Sequence, residues 1–325
     1  MLTNGFGLLD RFGFGLPDGN VVFTIFDEKF TEEDYYLQLY MTKKQLLSTG
    51  EMLTSSALQQ KLDGTNTVEM LLKDRVESSL KVFAATNAIA KENNIKLTAA
   101  DDAAVQKQKD SFANELGGEK GLKDFLRNNR TSEKALDKHF RTNAMMARLG
   151  IELYGEDKAF DLTGEERGRA QTEYYEKHAK FHYILFMMVD SNNEPLSGVR
   201  AQQQRALAEE AYEKALVEGA DFTKLIDEYS DDASTQKGKY ESYSLKGVTT
   251  EEYDEAVFGT AVGTVSAVKE LKNGLVIIKR LPLDDGKLKE YYAASRQAKL
   301  QSEIAAKAKG YNVEIGKAYG SIVIR

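Results

Sequence analysis

KFHYILF, Lys180 to Phe186, is where the sequence changes character. Upstream, apolar residues recur every three or four positions. Here aromatic and β-branched residues crowd together, and the run continues through Met187, Met188 and Val189. A short continuous apolar run of this kind reads as a buried strand. It places a histidine, His182, beside the core. Side chains alternate along a strand, so His182 and Tyr183 face opposite sides of any sheet the run joins. Exchanging them would take a slip in register, which a buried strand resists.

Downstream, helices and strands alternate. Asn193 and Pro195 mark a loop. A long amphipathic helix, VRAQQQRALAEEAYEKALVEGA, runs to Gly219, and DFTKLIDEYS makes a shorter one. STQKGKYESYSLKG is irregular, with an edge strand inside it. TTEEYDEAVF reads as a short helix capped at Thr249 or Thr250. TVSAVKEL and LVIIKRL read as two strands joined by a KNG turn. The order is strand, two helices, edge strand, helix and two strands.

The flanks read as helical. Met1–Asn20 holds five glycines and a proline and reads as a flexible leader. VVFTIF is a short β-rich run, DEK a turn, and Thr31 with Asp34 a capping signal for a helix to about Leu47. After a polar stretch, Leu72, Val76, Leu80 and Phe83 mark a helix from Val68 to about Asn93. Thr98 caps the next, which ends near Gly117 and Gly118. LKDFLRNN is a short helix, Thr131 opens another long one, and Thr163 with Glu166 caps EERGRAQTEYYEKH. Past Pro282 a helix spans about Lys287 to Lys309, followed by two strand-like runs, YNVEI and SIVIR. A strand at each end suggests that the ends pair. That pairing would make residues 21–179 and 283–325 one composite helical domain, with residues 180–282 inserted into it.

The totals narrow the function. A chain of 325 residues, 42% hydrophobic and 29% charged, is long enough for more than one domain. A net charge of −7 argues against nucleic-acid binding, which needs a basic face. No apolar run approaches the roughly 20 residues of a membrane helix. No secretory signal pattern opens the sequence. The absence of cysteine removes disulfides, thiolate metal sites and cysteine nucleophiles. Three histidines, His139, His178 and His182, form no metal-ligand spacing. His139 and His178 sit in charged helical stretches and are expected to face solvent. No glycine-rich phosphate loop is present, so no cofactor is expected. Any chemistry must need few special side chains.

The segment from Lys180 to Leu281 resembles the parvulin family of peptidyl-prolyl isomerases. YILF is similar to the family's first strand, and GADFTKLIDEYSDDAS to its helix and acidic loop. EEYDEAVFGTAVGTVSAVKE resembles its helix, Gly turn and strand, and NGLVIIKR its closing strand. The flanks, with VVFTIFDEKFTEEDYYLQL at their head, resemble the helical domain of PrsA-type and SurA-type foldases, extracytoplasmic chaperones that carry an inserted parvulin domain. The resemblance implies an α+β multidomain fold: a mainly helical chaperone domain with a parvulin-like insert.

It also implies positions for function. The acidic position after the second helix falls on Asp232, which reads equally as a turn carboxylate capping local backbone. The pocket aromatics fall on Tyr253, where phenylalanine is usual, and on Phe258. The pocket methionine and glutamine fall on Thr249 and Thr250. The two family histidines fall on Tyr183 and Val276, so both are missing. Tyr183 retains a hydroxyl that can donate to Asp232 or to substrate, and His182 on the other face does not replace it. Tyr240 and Tyr243 either line a peptide groove or cover the sheet edge. The paired methionines Met145–Met146 and Met187–Met188 read as core first and adaptable binding surface second.

The implied partner is unfolded or proline-containing polypeptide. The implied location is extracytoplasmic, with membrane association through a segment not in this chain; a homodimer is compatible with the long helical region. Three functions compete: a binding chaperone whose isomerase activity is weak or lost, an active prolyl isomerase, and an adaptor for one fixed partner. The missing histidines favour the first.

Overall fold

The computed structural model describes residues 20–46, 55–62 and 64–324. The glycine-rich leader, apart from Asn20, lies outside the described residues. The chain divides into two compact units, Met1–Asp161 with Arg296–Arg325, and Leu162–Ser295. The fold is α+β and mainly helical, with two small antiparallel sheets among the described residues.

The first unit opens with a hairpin, β1 (Val21–Ile25) and β2 (Glu28–Thr31). The sequence placed a turn at DEK; the turn falls one step earlier. Phe26 and Asp27 take positive φ, 51° and 66°, and Glu28 already pairs with Ile25. The Thr31–Asp34 cap forms as expected, the Thr31 amide donating to Asp34 Oδ2 at 2.9 Å. It starts α1 (Glu32–Leu46); α2 (Ser55–Leu58), α3 (Val68–Glu92), α4 (Ala99–Glu115), α5 (Gly118–Asn128) and α6 (Glu133–Glu152) follow. Thr98 closes a reciprocal capping box with Asp101 at the start of α4. Helix α6 begins one residue later than expected. Ser132 caps it, accepting the Ala135 amide at 3.2 Å, while the Thr131 hydroxyl donates to the Glu33 carbonyl at 2.9 Å.

The second unit contains α7 (Gly164–Lys177), β3 (His178–Met187), α8 (Gly198–Ala215), α9 (Phe222–Tyr229), β4 (Ser242–Leu245), α10 (Glu251–Phe258), β5 (Lys269–Leu271) and β6 (Gly274–Leu281). Its sheet runs β4-β3-β6-β5, every neighbour antiparallel. Strand β5 is shorter than TVSAVKEL suggested. Before it, Ser266 pairs with Ile278 through both its amide and its hydroxyl, which breaks the regular ladder. The alternation read in KFHYILF sorts the sheet's two faces. Ile184 and Phe186 join Leu275 and Ile277 under α8 and α9. Ala179 and Phe181 join Val276 and Ile278 under α10.

Helix α11 (Asp285–Lys309) leads out of the second unit and into the first, where β7 (Glu314–Ile315) pairs with β1. The two ends of the described chain thus pair, giving sheet order β2-β1-β7. SIVIR does not form the second strand expected of it. Lys317–Ser321 is a 3-10 turn, and Ile322 and Ile324 drop into the core beside Phe23, Leu72 and Leu80. The α3 residues Leu72, Val76 and Leu80 are buried as their spacing predicted.

Two histidines differ from expectation. His139 is half-buried against the rings of Phe83 and Phe140, and desolvation lowers its pKa to about 4. His178 packs on Tyr174 and Tyr291. In each case one local ring and one distant ring, Phe83 for His139 and Tyr291 for His178, set the environment.

Candidate functional site

The site face of the second unit is the one beneath α10. Strand alternation puts Phe181, Tyr183 and Leu185 of β3 opposite Arg280, Ile278 and Val276 of β6. Helix α10 covers the Phe181 end with Ala256 and Val257. Leu185 and Leu271 remain half-buried at the other end.

Beyond the short pairing with β4, the edge of β3 is taken by the loop after α9. The Asp231 amide donates to the Leu185 carbonyl at 2.8 Å, and the Met187 amide donates to Asp231 Oδ2 at 2.7 Å. The Ser230 hydroxyl accepts the Leu185 amide at 3.2 Å. This docking aims Asp232 over the sheet. Asp232 caps a short 3-10 turn, Ala233–Thr235, with Oδ1 accepting the Ser234 amide at 2.9 Å. Its Oδ2 accepts the Tyr183 phenol at 2.5 Å. Hydrogen bonds from Ser234 and then from Tyr183 hold the Asp232 carboxyl below the usual range. Burial, then the bond to Asp232, pushes the Tyr183 phenol well above the usual tyrosine value.

Tyr253 joins this face from α10. Its ring meets Phe181 edge-on, with centroids 6.2 Å apart, and packs in one cluster with Tyr183, Val276 and Leu271. Val276 is fully buried. Phe258, at the end of α10, lies under the Arg280 guanidinium, 5.0 Å from the ring centroid. Arg280 is itself 5% exposed; it donates to the carbonyls of Val257 and His178 and ties the helix end to the sheet.

The other candidates stand elsewhere. Thr249 donates to Asp254 Oδ1 at 2.6 Å and, with Phe258, lines an open cleft beside α10. Lys246, Glu251, Asp254 and Glu255 line that cleft too, but Tyr183, Asp232 and Tyr253 do not. Thr250 is the exposed N-cap of α10. Tyr240 and Tyr243 lie on the opposite face of the sheet. Tyr240 donates to Asp227 at 2.7 Å and packs beside His182. Tyr243 pairs across from Lys180 and donates to Asp284 at 2.5 Å. His182, stacked on Phe222, is half-buried on that same far face. The structure therefore brings Tyr183, Asp232, Tyr253 and Val276 together and sets Tyr240, Tyr243 and His182 apart from them. Ser230, Asp231 and Ser234, which position Asp232, escaped the sequence reading. Their signal was only the Ser/Asp-rich turn after DEYS.

Among the described residues, no group of three or more His, Asp or Glu side chains is placed to hold a metal ion. No described helix is long and apolar enough to cross a membrane. The site is an apolar sheet face with one hydrogen-bonded phenol–carboxylate pair and a second phenol beside it.

Comparison with known proteins gives three kinds of result. No curated protein matches the chain. Among solved structures, the peptidylprolyl isomerase PrsA of Bacillus anthracis is similar at 19% identity, covering 74% of this chain and all of that one, 100%, with TM-score 0.28. PrsA of Bacillus subtilis is similar at 16% identity, covering 79% of this chain and 95% of that one, with TM-score 0.27. A structure from Campylobacter jejuni, titled for the SurA-like chaperones PEB4 and Cj1289, is similar at 11% identity, covering 92% of this chain and 100% of that one, with TM-score 0.24. The model of the PPIC-type PPIASE domain matches residues 169–281, the stretch that carries the Tyr183–Asp232 pair and all four strands of its sheet. Over residues 169–281 the chain is thus similar to the PPIC-type PPIASE domain, the parvulin type.

Proposed function

We propose that the chain is a foldase-type chaperone that binds unfolded or partly folded polypeptide. In this reading its parvulin-type domain holds proline-containing segments, and its peptidyl-prolyl isomerase activity is weak or lost. The chain works outside the cytoplasm, associated with the membrane through a segment beyond it.

The reasoning starts from the reaction. An X–Pro bond prefers trans by only about 0.5–1 kcal/mol, but rotation crosses roughly 18–20 kcal/mol. Speeding it needs no nucleophile or metal. It needs an apolar seat for the ring and polar groups that favour the twisted amide over the planar one. The apolar seat is available in Leu185, Leu271 and Tyr253. The polar groups are engaged with each other: Tyr183 donates its proton to Asp232, and each Asp232 oxygen already accepts one hydrogen bond. Val276 offers nothing polar. The Tyr183–Asp232 hydrogen bond is the observation that carries this reading, because it leaves the domain able to bind and poorly equipped to catalyse.

The test is suppression of the aggregation of a chemically unfolded protein, run beside a proline-peptide isomerisation assay. Suppression with an isomerisation rate near background is the expected result. Fast isomerisation that Asp232→Ala abolishes would replace this reading with an active isomerase. Tight binding to a single partner without suppression would replace it with an adaptor.

A further inference from the structure

We propose that the Tyr253 hydroxyl is the group that holds a bound polypeptide at this face, donating a hydrogen bond to a backbone carbonyl of the segment. This role rests on the polypeptide binding proposed above.

Apart from Thr250, the exposed N-cap of α10, the candidate hydroxyls around α10 and β3 are otherwise committed. Tyr183 donates to Asp232, Thr249 to Asp254, Tyr240 to Asp227 and Tyr243 to Asp284. Tyr253 donates to no described residue. It is not among the buried polar atoms that lack a partner, which within the described residues are Tyr35 Oη and Arg280 Nε. Its ring is held in the cluster with Phe181 and Val276, and the residue is half-buried, with its unpartnered hydroxyl not sealed from solvent. The two carboxylates whose charge bears on it, Asp232 and Asp254, could have accepted its proton. Both are occupied, Asp232 by Tyr183 and the Ser234 amide, and Asp254 by Thr249 and the Gly247 amide. Burial, then these two charges, pushes the phenol up to about 12, so it remains a donor at neutral pH.

The same charges define the acceptor. Asp232 and Asp254, the charges that bear on the phenol, disfavour a carboxylate or phosphate at this point. A neutral acceptor fits, and the backbone carbonyl is the neutral acceptor that every unfolded segment possesses. A donor on an amide oxygen favours the planar, conjugated amide, whose oxygen is the more negative. The contact therefore strengthens binding without lowering the barrier to rotation.

The test uses the full chain and a fluorescein-labelled peptide with uncharged side chains and one Leu-Pro bond, read by anisotropy. Tyr253→Phe keeps the ring and removes the donor. It should weaken binding about five- to tenfold and leave the melting temperature unchanged. A twin peptide with thioamides in its backbone, weaker acceptors, should bind the wild-type chain less well than the parent peptide does and bind the Tyr253→Phe chain equally well. Unchanged affinity in Tyr253→Phe overturns the role while leaving the proposed function standing. So does a lowered melting temperature, which would show that the hydroxyl serves the fold. No binding by the wild-type chain overturns both.

Discussion

Replacing Tyr183 by Phe probes the pair on which the functional reading rests. The variant keeps the ring, whose centroid lies 5.9 Å from that of Phe181, so it opens no cavity. It removes one hydrogen bond, from the phenol to Asp232 Oδ2. Hydrogen bonds to charged acceptors contribute about 1.5–3 kcal/mol. The low end applies here, because Asp232 is only half-buried and keeps its bond from the Ser234 amide at 2.9 Å. The expected loss at neutral pH is therefore about 1.5 kcal/mol. Its pH dependence has a definite sign. Asp232 is held below the carboxylate range in the folded chain, so its contribution is present above the unfolded value of about 3.9 and fades as pH falls through the folded one. Urea unfolding, read at the amide peaks of β6, should separate variant from wild type at pH 7 and bring them together in strong acid. A carbon-detected titration should show the Asp232 carboxyl moving up toward the ordinary range in the variant. An equal separation at both pH values, or an unmoved Asp232, would refute the reasoning.

Three further outcomes follow from the packing. Arg280→Ala should cost the sheet about 2–4 kcal/mol, measured by urea unfolding, since it strands the Val257 and His178 carbonyls and empties space over Phe258. Gly316→Ala should destabilise the first unit by about 1–3 kcal/mol, because a Cβ there would stand 2.1 Å from the Val21 carbonyl oxygen; Gly320→Ala, with open space around it, should be neutral in the same melt. His139 should titrate near 4 by proton NMR rather than near about 6.5. The first unit should then lose stability as pH falls from the unfolded value toward the folded one, and a normal titration would contradict its burial against Phe83 and Phe140.

Much of the fold could be read because its signals are local and periodic. Thr98 and Thr163 cap their helices as expected, Thr163 with Glu166, and the Leu72–Val76–Leu80 stripe is core. The alternation in KFHYILF correctly set Tyr183 and His182 on opposite faces, and Tyr183 makes one of the two hydrogen bonds open to it. What could not be read depends on neighbours far along the chain or on special backbone angles. The β1–β2 turn uses Phe26 and Asp27 at positive φ, a pair with no glycine to announce it. Ile322 and Ile324 are buried without a strand because an apolar slot awaits them beside Phe23. Tyr243 belongs to the far face because its register with Lys180 aims it there, and Tyr240, ahead of β4, is held there by Asp227 and His182; no periodicity in KYESYS announces either. His139 is desolvated by a phenylalanine from another helix.

The most direct measurement is two-dimensional exchange NMR on an Ala-Pro tetrapeptide with the full chain present. Binding at the sheet face should shift the resonances of Leu185, Tyr253 and Leu271, while cis–trans exchange stays on the uncatalysed scale of tens to hundreds of seconds. Exchange driven to sub-second times, or peptide shifts confined to Tyr240, Tyr243 and the opposite face, would contradict the account.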